Sequence, residues 1–162
     1  REFVGKSNSC REPRDVDTIV AAVIELLKYE VQKSHATIEF HPGCPACSVR
    51  VDTIQIEQVL INMVRNSLEA IAEANLFDGR VVIRTGLSAN DMVEVTVADN
   101  GPGINAEIAD TLFDPFQTNK ASGMGIGLSL SRAIIEAHEG RLWVDKDRHN
   151  GALFGFQLPV SK

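Results

Sequence analysis

Positive charge is scarce in this sequence. Sixteen Lys and Arg stand against 22 Asp and Glu, giving a formal net charge of −6 and a pI near 5.2. No overall basic field draws such a chain onto a phosphate backbone or an anionic membrane, so nucleic acid is not an expected partner. Long apolar runs are missing too. None approaches the ~20 residues that span a bilayer, and Arg1-Glu2-Phe3-Val4-Gly5-Lys6 lacks the apolar stretch of a signal peptide. The segment is expected in the cytoplasm, not inserted in a membrane, although a fuller chain can still be tethered. Internal repeats and low-complexity tracts are also absent. The three cysteines cannot all pair, which points weakly to a reducing compartment. Cys44-Pro45-Ala46-Cys47, preceded by His41, reads as a redox dithiol, as three ligands of a zinc site with Cys10 the only spare cysteine, or as a proline-rich turn between short strands. The turn is the expected reading, because a zinc module brings a second ligand pair at matching spacing.

What is present is an ordinary globular composition, 44% hydrophobic and 23% charged over 162 residues, which fits one domain with a real core. Residues 1–14 are polar and irregular, a linker or the end of a preceding element. Residues 16–33 place Ile19, Val20, Val23, Ile24, Leu27 and Val31 at helical spacing. Residues 37–40 and 48–51 alternate as short strands around the proline-glycine-cysteine turn. Residues 53–75 read as a long helix with a core stripe of Ile56, Val59, Leu60, Met63, Ser67, Ala70 and Ile71. Residues 80–87 and 92–98 form an expected hairpin across Ser88-Ala89-Asn90-Asp91. A long stretch rich in Gly, Pro, Asn and Asp follows over residues 99–123, then a helix over 124–138 ended by Gly140. Strands over 141–145 and 152–158 close the chain. Strands that neighbour as hairpins, mixed with helices, predict an α+β fold: a two-layer α/β sandwich, a mixed sheet covered on one face by about three helices.

Four constellations carry chemistry. Asn62 and Asn66 lie one turn apart beside the core stripe of the long helix, continued by Glu69 and Glu73. Neither is at a cap and asparagine is a mediocre helix former, so the pair reads either as a solvated flank or as amide ligands for Mg²⁺ or its waters. The strand over 93–98 delivers Asp99 at its end, before Asn100-Gly101-Pro102-Gly103-Ile104. A carboxylate there accepts from an exocyclic amine, and the glycines let backbone approach a flat ligand; a common turn has the same letters. Gly123-Met124-Gly125-Ile126-Gly127-Leu128-Ser129 enters a helix and exposes N–H groups and a positive dipole end to phosphate oxygens, with Lys120 upstream as a point charge. It lacks the Gly-Lys-Ser/Thr of a P-loop and does not leave a strand directly, as a Rossmann fingerprint does. Gly151-Ala152-Leu153-Phe154-Gly155-Phe156 opens the last strand.

In order and spacing these elements resemble the N box and the three glycine boxes of the histidine-kinase catalytic domain, a member of the Bergerat-fold ATPases that include gyrase and the heat-shock chaperones. Gln58-Val59-Leu60-Ile61-Asn62-Met63-Val64-Arg65-Asn66-Ser67 is similar to the N box, and Phe113-Asp114-Pro115-Phe116-Gln117-Thr118-Asn119-Lys120 to the F box. Asn66-Ser67-Leu68-Glu69-Ala70 and Ser129-Leu130-Ser131-Arg132 resemble the nitrogen-regulation and oxygen-sensing subgroup. The resemblance covers about residues 15–160, so residues 15–162 are the expected catalytic domain and 1–14 the expected linker or end of a dimerisation helix. It implies ATP and Mg²⁺ as cofactors. Asn66 is then the Mg²⁺ ligand and Asn62, Asn66 and Lys120 the catalytic set. Asp99 binds the adenine amine. Gly101, Gly103, Ile104, Phe113, Thr118, Lys120, Gly123, Gly125, Gly127 and Leu128 line the nucleotide, and a lid spans residues 105–122. Asn62 stands where gyrase-type ATPases place a water-activating glutamate. An amide is no general base, which suits phosphoryl transfer to an imidazole rather than hydrolysis. The implied partners are a phospho-acceptor histidine domain of the same protein and a response regulator. There are two departures from the pattern. Ala152 and Leu153 offer no hydroxyl after the last glycine box, so weaker adenine binding is expected. None of His35, His41, His138 or His149 lies in an acceptor-like helix, so the acceptor is expected before residue 1.

Overall fold

The computed structural model describes residues 11–45, 47–104, 112–114, 127–145, 148 and 150–161. Two of the helices start where capping carboxylates stand. Asp15 accepts from Asp17 N at 3.1 Å and opens α1 (Val16–Leu26), which passes into the short α2 (Lys28–Lys33). Asp52 accepts from Gln55 N at 3.3 Å and opens α3 (Thr53–Glu73). Each such cap is worth about 1 kcal/mol.

The single helix read over 16–33 is interrupted at Leu27, whose φ is −97° and ψ 8°. Hydrogen bonds still run across the break, from Leu27 N to Val23 O and from Val31 N to Leu27 O. The Leu27 side chain stays in the core, and beyond it Glu30 of α2 meets Arg65 of α3 in a bidentate pair at 2.9 and 2.8 Å. That guanidinium holds the Glu30 carboxyl below its ordinary value.

Among the described residues the strands are β1 (Glu12–Asp15), β2 (Ala36–His41), β3 (Ser48–Val51), β4 (Gly79–Leu87), β5 (Met92–Asp99), β6 (Arg141–Val144) and β7 (Leu153–Pro159), with α4 (Gly127–Ala137) between β5 and β6. The main sheet runs β2-β4-β5-β7-β6. Its β2–β4 pair is parallel and the others antiparallel, so the sheet is mixed as expected. The predicted hairpin is β4–β5, closed by Ser88 N donating to Met92 O at 2.8 Å.

The strands read around the proline-glycine-cysteine turn part company. β2 joins the sheet edge beside β4, while β3 pairs antiparallel with β1 in a separate ribbon, Glu12 opposite Val51 and Asp15 opposite Ser48. Alternation says which side chains face the core, not which strand lies alongside. β1 itself falls in the stretch read as irregular. All its residues are exposed, so no apolar alternation marked it.

One sheet face is buried through Val81, Ile83, Val93, Val95, Val97, Phe154, Phe156 and Leu158. It packs in one core with the apolar stripes of α1, α3 and α4. Thr85, buried on the same face, donates to Asp17 Oδ1 at 2.6 Å and accepts from Gly43 N at 3.0 Å, which ties β4 to α1 and to the loop before β3. No helix among the described residues is long and apolar enough to cross a membrane.

His138 locks the far end of the helical layer. Its Nδ1 lies 2.8 Å from Ile134 O, and its Nε2 accepts from Asp52 N at 3.2 Å. That arrangement requires a neutral ring protonated on Nδ1. Burial, reinforced by Arg11, holds its pKa below the ordinary 6.5 despite the bond to Ile134. The unfolded chain therefore binds this proton before the folded one does, and stability falls as pH drops below about 6.5, with the loss ending once the folded-state pKa is passed. Thermal melts between about pH 7.5 and about pH 5.5 should show a fall in Tm that is smaller in His138→Gln. An equal fall in both proteins would remove His138 from the account.

Candidate functional site

Three positions spaced by four residues on α3 organise the site. Asn62 is half-buried, and its Nδ2 donates to Ser131 Oγ at 3.3 Å and, at the long limit of 3.5 Å, to Gly127 O. Both partners belong to α4, so Asn62 clasps the first turns of the helix that follows the glycine-rich stretch. Two turns on, Ala70 lies against the β5 end: a Cβ placed on Gly101 would be 3.4 Å from the Ala70 methyl. Asn66 stands between them, half-buried. Residues at i, i+4 and i+8 share a helix face and here span about 12 Å. Ala70 was read as part of the core stripe. Its half-buried position against Gly101 puts it on the polar seam instead, while Val64 and Leu68 enter the core.

Asp99 closes β5 and is buried, 4% exposed. Its Oδ1 accepts from Gly101 N at 2.9 Å and from Ala152 N at 3.2 Å. Its own N–H donates to Ala152 O at 3.0 Å. Two charge-assisted bonds offset much of the cost of burying the carboxylate. No hydrogen bond from the described residues reaches Oδ2. The surrounding backbone approaches too closely for side chains. Gly151 has φ +87°, and a Cβ on it would stand 1.8 Å from Asp99 O; Gly103 has φ +90°, and its Cβ would stand 3.1 Å from Gly151 O. Both lie where L residues are disfavoured.

Ile104, Phe113 and Leu128 pack against the core, beside buried Leu112. These contacts anchor the described margins of the glycine-rich stretch. Thr118, Lys120, Gly123 and Gly125 lie outside the described residues, as do Phe116, His149 and Cys10. The structure therefore brings Asn62 to Gly127, and Asp99 to Gly101, with Gly103 meeting Gly151 beside them.

Several contributors went unnoticed in the sequence. Asn100 accepts from Arg80 N at 2.7 Å through its Oδ1 and donates to Asp78 O at 3.0 Å, so it secures the β4 start; nothing distinguished it from a turn residue. Ser131, fully buried, had a signal that was not used: a hydroxyl one turn after Gly127 on the inner face of α4. Ala152 acts through its backbone, which no side-chain pattern reveals. The Cys44 and Cys47 sulfurs are bonded to each other. Among the described residues no group of three or more His, Cys, Asp and Glu is placed to hold a metal ion, so the zinc reading gains no support.

The model of the histidine kinase-, DNA gyrase B- and HSP90-like ATPase family matches residues 51–162. The chain is 37% identical over 163 residues to the sensor protein FixL of Bradyrhizobium diazoefficiens, covering 99% of this chain and 32% of FixL. It thus spans about a third of that relative. Among solved structures, the catalytic domain of histidine kinase ThkA superposes with a TM-score of 0.80 at 32% identity, over 93% of this chain and 95% of that one. ThkA in complex with response regulator protein TrrA gives 0.77 at 30% identity, over 93% and 42%.

Proposed function

The chain belongs to the histidine kinase-, DNA gyrase B- and HSP90-like ATPase family, on its sensor-histidine-kinase branch, and from that membership we propose that it binds Mg-ATP along α3 and transfers the γ-phosphoryl group to a histidine on a separate dimerisation segment. The observation that carries the reading is the state of Asp99. One carboxylate oxygen is committed to two backbone N–H groups and the other accepts no hydrogen bond from the described residues, at one end of a seam that runs past Asn66 to the glycine-opened α4. In this reading Oδ2 accepts from the adenine amine, while Gly101, Gly103 and Ile104 flank the base. Lys120, Gly123, Gly125 and Gly127 hold the phosphates, helped by the positive end of α4, while Phe113, Thr118 and Leu128 line the nucleotide.

The donor chemistry suits Mg²⁺. The Asn66 amide oxygen is a hard ligand, and Mg²⁺ on a nucleotide needs only one or two protein oxygens beside phosphates and waters. Bound there, the ion would neutralise charge on the phosphates. Asn62 supports transfer over hydrolysis on two grounds. An amide cannot take a proton from water, and its Nδ2 is engaged by Ser131 and Gly127, which makes it a positioning residue for α4. The glutamate of a gyrase-type hydrolase has no counterpart at that position. By the same reading the partners are the phospho-acceptor domain of the same protein and a response regulator, as ThkA is with TrrA.

The test is direct. The chain mixed with Mg-ATP and a fragment carrying the acceptor helix should yield acid-labile phosphohistidine, with Asn66→Asp slower by about tenfold or more. No phosphohistidine, or equal rates in the two proteins, would sink the proposal; brisk hydrolysis by the chain alone would favour the hydrolase reading.

A further inference from the structure

The disulfide between Cys44 and Cys47 is not built like a staple. With a sequence separation of 3 it closes a very short loop, and closing so short a loop restricts the unfolded chain little. The turn is also held without it. Cys47 N donates to Cys44 O at 3.0 Å, and Gly43 N is held by Thr85 Oγ1. Cys44 sits in the core, 1% exposed, where a reduced thiol packs as a small hydrophobe. Cys47 is half-buried. The two residues are thus unequal, Cys44 wholly inside the core and Cys47 half-buried against it, at the spacing of redox-active pairs.

The pair also sits at a junction. Cys47 O accepts from Val16 N at 3.3 Å, the first residue of α1. The next residue, Ser48, pairs with Asp15, which caps that helix, and Ser48 O accepts from Ser161 N at 2.6 Å. The ribbon β1–β3 lies outside the main sheet with β1 fully exposed; Val49 and Val51 of β3 are buried in the core and Val49 bridges Val160, and the bond from Val16 N to Cys47 O ties the ribbon to α1 at this point.

We propose that Cys44 and Cys47 form a reversible dithiol–disulfide site, entered through Cys47, whose redox state sets how tightly the β1–β3 ribbon is held against α1. In reduction, a thiolate of a small dithiol attacks Cys47 Sγ. The S–S bond breaks, and Cys44 leaves as a thiolate that takes a proton from water. The second thiol of the reductant then attacks the mixed disulfide, releasing Cys47 and closing the reductant into a disulfide. Two electrons and two protons pass to the protein. Oxidation by a glutathione-type disulfide runs the exchange backwards.

The experiment uses this chain with Cys10→Ser, equilibrated with dithiothreitol or oxidised glutathione, quenched by alkylation and weighed as peptides. The expected result is a native-state interconversion between two alkylatable thiols and a joined 44–47 pair lighter by two hydrogens. In the reduced form, amide hydrogen exchange should be about fivefold faster or more in residues 12–15 and 48–51, with β4 and β5 unchanged. Cys47→Ser should show the fast pattern in both buffers; Cys47→Ala replaces it if that variant does not fold. A disulfide that yields only when the protein unfolds, two thiols that persist under oxidised glutathione, or identical exchange in both states would each overturn the proposal.

Discussion

Asp99→Asn should lower the affinity of the chain for Mg-ATP by about a hundredfold while leaving the fold standing. An asparagine in this place keeps one oxygen for Gly101 N and Ala152 N, which now meet Oδ1 of the aspartate. Its second position becomes an NH₂ group, pointing donor against donor at the adenine amine. The loss is then that of a charge-assisted hydrogen bond in a largely buried setting, about 2–3 kcal/mol, which converts to the stated range of affinity. Calorimetric titration with Mg-ATP measures it, and thermal melts of the nucleotide-free protein check that the backbone clasp survives. If the variant bound Mg-ATP as wild type does, the adenine assignment would be wrong.

How far this site could be read from the sequence depended on whether a residue acts through its side chain or through its place in the backbone. Asp99, Asn62 and Asn66 stood out as candidates because a strand-end carboxylate and two asparagines in mid-helix are unusual choices, and the structure places Asp99 at the end of β5 and both asparagines half-buried on α3. The β4–β5 hairpin and the α3 stripe were legible for the reason that periods of two and 3.6 residues report burial directly. Partner choice was not. β2 lies parallel to β4 and β3 antiparallel to β1, and both pairings join strands far apart in the chain, where local alternation says nothing. The hydrogen bonds from the Asn62 amide to Ser131 and Gly127 were equally out of reach, because only the packing of α3 against α4 brings those groups together. The spacing of Cys44 and Cys47 offered a redox dithiol beside a zinc site and a plain turn, and only the structure, which joins the two sulfurs, chooses among them.

The largest loss should come from a residue with no side chain at all. Gly151→Ala has to fit a methyl group 1.8 Å from Asp99 O and 3.1 Å from the Asn100 Cα, at φ +87°. The left-handed conformation alone costs about 1–2 kcal/mol for an L residue. The overlap is with backbone, which cannot rotate away, so β5 and β7 must separate at this end. That movement breaks the pair of bonds between Asp99 and Ala152, at 3.0 and 3.2 Å, and leaves a buried carboxylate short of a donor. Stability should fall by about 3 kcal/mol or more, and Mg-ATP affinity should fall at least as far as in Asp99→Asn, because the carboxylate is no longer aimed. Gly86→Ala is the control. It lies in the same sheet with nothing within 4 Å of an added Cβ, so its melt and its titration should match wild type within about 0.5 kcal/mol. The two site variants then separate cause from effect: Asp99→Asn loses affinity with the fold retained, whereas Gly151→Ala loses both. If Gly151→Ala melted with wild type and still bound Mg-ATP, the close approach of β7 to Asp99 would not be what holds the carboxylate in place.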